Sequence, residues 1–100
     1  MQALARLDLL DLHDSTLVDL RLDWAAGTCE IRITGSVGMN WRNALIRWVD
    51  VVHVEVTRDQ EWGPSVSILE VRSSESTDEM HMQSGDVLVV SARERQIEYL

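Results

Sequence analysis

The sequence predicts an all-β domain, an antiparallel sandwich or a partly open barrel of about seven short strands. Three observations predict it. Apolar and charged residues alternate with a period of two along most of the chain, β-branched residues gather in runs, and turn-forming residues recur at short intervals between them. One hundred residues with 45% apolar content are enough for one core. A compact chain of that length has a radius of gyration of about 13 Å, so residues 1–100 are expected to form a single domain.

The N-terminal "LARLDLLDL" fits either a strand or one amphipathic helical turn. In "TLVDLRLDW", Val18, Leu20, Leu22 and Trp24 alternate with Asp19, Arg21 and Asp23, the pattern of a half-buried antiparallel strand. "AAGT" supplies a turn, and "CEIRITGSV" resumes with Cys29, Ile31 and Ile33 opposite Glu30, Arg32 and Thr34. Residues 16–36 are therefore predicted to be a hairpin. From "MNWRNALIRW" onward, Trp41, Leu45, Trp48 and Val52 have helical spacing, whereas "RWVDVVHVEVT" is rich in β-branched residues. One short helical turn near residues 40–45 leading into a strand over 45–57 satisfies both. After the turn "EWGPS" come a strand in "SVSILEVR", a polar loop in "SSESTDE", a short strand in "EMHMQ" and a tight turn at "SGD". A last strand in "VLVVSARE" precedes a tail containing Tyr99.

The formal net charge is −8 and falls unevenly: residues 1–50 carry five Arg against seven acids, net −2, and residues 51–100 carry four Arg against ten acids, net −6. A nucleic-acid partner needs a basic footprint, so none is expected; the acidity suits a basic protein partner or plain solubility. No apolar run approaches the roughly 20 residues of a membrane span, and "MQALARLDLLDLHD" places acids where a signal peptide needs an apolar stretch. A cytoplasmic protein that does not enter membranes is expected. Cys29 is the sole cysteine, which excludes an intrachain disulfide and a CxxC site.

Candidate sites are few. Pro64 restricts Gly63 and fixes the direction in which Trp62 is presented. Trp62 either folds back to plug the open end of the sheet, the simpler reading for a core without Phe, or faces outward as a binding anchor. Asp59 and Glu61 stand just before it, and Glu75, Asp78 and Glu79 lie in the next polar loop; if the two segments meet, they form an acidic rim around Trp62. His13, His53 and His81 have no metal-ligand spacing, so neither a metal nor another cofactor is expected. In "LHDSTL", Ser15 lacks a nucleophile elbow, and Asp14 and Ser15 suit backbone hydrogen bonding; no catalytic residues are assigned and the chain is not expected to be an enzyme.

Three segments in order, "LHDSTL", "EWGPSVSI" and "MQSGDVLVV", resemble small all-β bacterial proteins grouped as predicted immunity proteins of polymorphic toxin systems, the Immunity protein 50 group in particular. The resemblance spans most of the chain, and Trp62-Gly63-Pro64-Ser65 is its most specific part. It implies a non-enzymatic protein that binds and neutralises a cognate toxin of the same cell, and it brings no catalytic residues with it. The acidic C-terminal half fits a basic toxin. Two alternatives stand beside it: a ligand-binding barrel with a pocket lined by several of Trp24, Trp41, Trp48 and Trp62, and a homo-oligomer in which an edge strand such as "VLVVSARER" pairs across a two-fold axis.

Overall fold

A computed structural model describes residues 1–100 as one antiparallel sheet of seven strands: β1 (Gln2–Leu4), β2 (Thr16–Asp23), β3 (Thr28–Thr34), β4 (Ala44–Val56), β5 (Ile68–Ser73), β6 (Thr77–Met82) and β7 (Val87–Tyr99). The strands run in the order β2-β3-β4-β7-β6-β5. β4 occupies one side of β7, while β6 and β1 share the other, β6 along residues 87–91 and β1 along 95–97. The all-β expectation holds, and the two-sheet sandwich gives way to a single rolled sheet. Its two longest strands, β4 and β7 with 13 residues each, carry the roll. The radius of gyration is 12.4 Å. No helix is long and apolar enough to cross a membrane.

The ends of the sheet meet at one corner only. Thr16 bridges Ser67, the Leu17 N–H donates to the Val66 carbonyl at 2.8 Å and the Ile68 N–H to the Ser15 carbonyl at 2.9 Å. Past Leu17, β2 leaves this corner, so the roll does not close into a barrel.

Cross-strand register explains the core. Leu20, Ile31, Ile46 and Ile97 stand in one row across β2, β3, β4 and β7, and Leu22, Cys29, Trp48 and Arg95 in the next. Facing residues share a side of the sheet, so these rows point into the roll, where they join Ile68, Met80, Met82, Leu88 and Val90. On β4 the alternation of burial slips twice, so that Trp48, Val51 and Val54 all face the core at intervals of three, and on β7 it slips once, between Ala92 and Arg95. Asp50, with φ of 56°, sits at the first slip on β4, and a second irregularity separates Val51 from His53.

The helical turn near residues 40–45 is displaced. A 3-10 turn occupies Val37–Met39, and Asn40 and Trp41, both left-handed with φ of 53° and 60°, end it; Ala44 already belongs to β4. A second 3-10 turn at Leu7–Leu9 follows β1, so the N-terminal segment contains both a strand and a turn. β7 continues to Tyr99 where a tail was expected, because Ala44 pairs with Tyr99 and the Arg42 guanidinium lies 3.9 Å above the Tyr99 ring.

β2 departs from its expected burial. Register places Leu17, Leu20 and Leu22 on the inner side, yet Val18, Leu20 and Leu22 remain exposed. Alternation marks which face of a strand is apolar; covering that face takes a wall packed against it, and past the corner the C-terminal half of β4 stands off from β2 across an open cleft.

Candidate functional site

The three segments quoted above converge in space. Residues 14–17, 59–68 and 82–87 are far apart in sequence and are laced together at the corner where β2 meets β5. The Gln83 N–H donates to the Ser67 carbonyl at 2.9 Å, and the Gln83 amide reaches Asp14. Asp86 anchors the loop after β4: its carboxylate accepts the Asp59 N–H at 2.6 Å and the Gln60 N–H at 3.1 Å, and the Ser84 hydroxyl lies 2.9 Å from it. Ser84 also lies 3.1 Å from the Ser65 hydroxyl. Burial alone pushes the Asp86 carboxyl up, but the hydrogen bonds from Ser65, Asp59, Ser84 and Gln60 together outweigh it and hold the group below the usual carboxylate range.

Trp62 stands on this platform. Its N–H donates to the Ser84 carbonyl at 3.1 Å, and its ring lies across Gly85, where a Cβ would come within 2.6 Å of Cζ3. Gly85 has φ of 93°, so glycine is required there for two independent reasons. The side chain is nonetheless 72% exposed. The core-plug expectation is thus overturned: the large apolar volume is supplied by Trp48, and Trp62 is held on the surface by its backbone and by one face of its ring.

The expected acidic rim does not assemble. Asp59 and Glu61 are exposed beside Trp62, but Glu75 lies at the far end of β6, where the Ala92 N–H bonds the Ser76 carbonyl. The six residues of β6 put roughly 17–20 Å between the two loops. Glu79 is half-buried on the outward side of β6.

Asp78 is not a surface residue: it is 1% exposed and pairs with buried Arg95 at 2.6 Å. Its carboxylate also accepts from Trp48 Nε1 at 2.7 Å, the Ser73 hydroxyl at 2.6 Å and the Leu7 N–H at 3.3 Å. The other Arg95 donors reach the carbonyls of Ala5, Ser74 and Glu75 and the second Asp78 oxygen. With both partners satisfied inside the roll, this pair fastens the N-terminal segment and the 73–77 turn to β4, β6 and β7.

Nothing else gathers chemistry. Ser15 is fully buried and its hydroxyl accepts the Ser36 N–H at 3.1 Å, while His13 bonds the Leu69 carbonyl through Nδ1 at 2.8 Å. That bond, then Asp14 and Asp11, raise the His13 pKa. "LHDSTL" therefore works as a seam between β2 and β5. Burial pushes the Cys29 thiol up to about 11, away from nucleophilic use. No three His, Cys, Asp or Glu side chains are placed to share a metal ion.

An apolar cleft runs between the inner side of β2 and the C-terminal half of β4. One part, about 250 Å³, includes Leu22, Trp24 and Val54 in its lining; the next, about 320 Å³, includes Leu20, Val56 and Val66. The multi-tryptophan pocket is absent, since Trp48 is in the core and Trp24 alone of the four lines either part of this cleft. The role of Asp86 escaped the sequence reading; the "SGD" turn was the available signal, an acid next to a glycine where a hairpin must reverse.

No protein-family model matches the chain, and no curated protein does. The chain is similar in fold to the crystal structure of an uncharacterized protein from Neisseria gonorrhoeae, with a TM-score of 0.58 at 16% sequence identity over 90% of this chain and 95% of that one. At that identity the likeness concerns the fold alone.

Proposed function

We propose that this chain is a non-enzymatic binding protein whose contact surface is the Trp62 turn and whose partner is a basic protein. In its finer form, the proposal is an immunity protein that neutralises a toxin of the same cell. The observation that carries it is the presentation of Trp62: an exposed tryptophan seated on Gly85, on a loop pinned by Asp86, with Asp59 and Glu61 in the open beside it. A large aromatic whose position is set before binding loses little entropy on association, the property of an interface hot spot. The overall charge of −8 favours a basic partner by steering its approach. The toxin as partner rests on the likeness of the three motifs to the Immunity protein 50 group, and their convergence at one corner supports treating them as one feature.

The test is association kinetics with the protein encoded beside this one. Reversing Asp59 and Glu61 to Lys should slow association by about tenfold at low salt, with the difference shrinking as salt rises. Reversing Glu75, beyond the other end of β6, and Glu79, on its outward side, removes as much overall charge and should slow association clearly less. Equal effects from both pairs would remove the Trp62 turn as the contact surface. A neighbouring protein that neither binds nor harms cells lacking this chain would remove the toxin.

A further inference from the structure

We propose that the free edge of β2 pairs antiparallel with β2 of a second copy of this chain, across a two-fold axis through Leu20. The expected edge, "VLVVSARER", is ruled out for this role because β7 lies inside the sheet, with β4 on one side and β6 and β1 on the other. Of the real edges, β1 is three residues long. β5 is covered by the N-terminal segment, through the Asp14 N–H on the Ile68 carbonyl at 2.9 Å and His13 on the Leu69 carbonyl at 2.8 Å. The half of β4 beyond Trp48 also lacks a strand on its β3 side, but it lines the cleft facing β2, so β2 offers the edge open to another chain. It pairs with β3 on one side, and past Leu17 its other side meets no strand. An uncovered run of backbone donors and acceptors is a template for another strand.

The order of side chains on β2 makes that strand a copy of itself. With Leu20 opposite Leu20 of the second copy, Asp19 faces the other Arg21 on both sides of the axis, and Val18 faces the other Leu22. Opposite charges in direct cross-strand positions attract, and the exposed Val18, Leu20 and Leu22 leave water together. Other registers fail on charge or length. An axis at Asp19 or at Arg21 stacks like charges, and a shift by one residue sets leucines against charged side chains. An axis at Leu22 runs into the turn closed by the Gly27 N–H on the Asp23 carbonyl. Within the chain, Asp19 makes only a long, exposed ion pair with Arg32 at 4.0 Å, which a closer arginine of the second copy can displace. The Trp62 turn takes no part, so this pairing stands apart from the partner proposed above.

Sedimentation velocity over a range of concentrations tests it. The wild-type chain should reach twice its 11.4 kDa mass as concentration rises. Asp19→Arg places like charges in both cross-strand pairs, as does Arg21→Asp, and either should weaken the dimer by roughly tenfold or more. The double exchange Asp19→Arg/Arg21→Asp should restore it, and mixing the two single variants should give a heterodimer that neither forms alone. Circular dichroism keeps the reading on association, since these side chains are exposed. A wild-type chain that stays monomeric throughout, or a dimer indifferent to both single exchanges, would overturn the proposal.

Discussion

Trp62 lies across Gly85, and the fit leaves no room for a Cβ: one added at Gly85 would stand 2.6 Å from Cζ3 and 2.7 Å from Cε3. Gly85→Ala should therefore dislodge the ring and place an L residue at φ of 93°, at a cost of about 1–3 kcal/mol. Thermal melts and tryptophan emission would register both effects. An unshifted melt with unchanged emission would mean that the ring does not rest there.

The Asp78–Arg95 pair gives a second prediction. Asp78→Ala leaves Arg95 buried without its counter-charge and Trp48 Nε1 without an acceptor, so unfolding in urea should show a loss of about 3–5 kcal/mol. Glu75→Ala in the adjacent turn should change little, because its side chain is exposed and only its carbonyl meets Arg95. Comparable losses from the two would contradict the staple.

Two groups set opposite pH dependences. Asp86 has a folded pKa below its unfolded value of about 3.9, so its contribution is present above that value and disappears as pH falls through the folded one. Asp86→Asn should lower stability at neutral pH and flatten its decline in acid. His13 has a raised folded pKa, so its contribution is complete below about 6.5 and is lost as pH rises through the folded value. Nuclear magnetic resonance titration of His13 should place its midpoint above the ordinary histidine value; a midpoint below it would contradict the Leu69 contact.

Much of the fold was legible in the residues. The hairpin of β2 and β3, the strand from Ala44 and the turns at "AAGT", "EWGPS" and "SGD" follow from alternation and turn chemistry. What was not legible depends on strand order and on distant packing. Alternation on β2 gave the apolar face, but whether a wall covers Leu20 and Leu22 is decided by how the sheet rolls. Asp78 reads like its neighbours in "SSESTDE", and its burial comes from Arg95, 17 residues later, and from Trp48, 30 residues earlier. The acidic rim failed for the same reason, since the length of β6 separates two loops that are close in composition only.

The most direct test is Trp62→Ala, measured twice on the same protein. Dissociation from the proposed basic partner should quicken by roughly thirtyfold, the equivalent of about 2 kcal/mol for a hot-spot tryptophan, while the melt changes by less than the equivalent of about 1 kcal/mol. A loss of about 3–5 kcal/mol in stability with unchanged dissociation would contradict this and return Trp62 to the core.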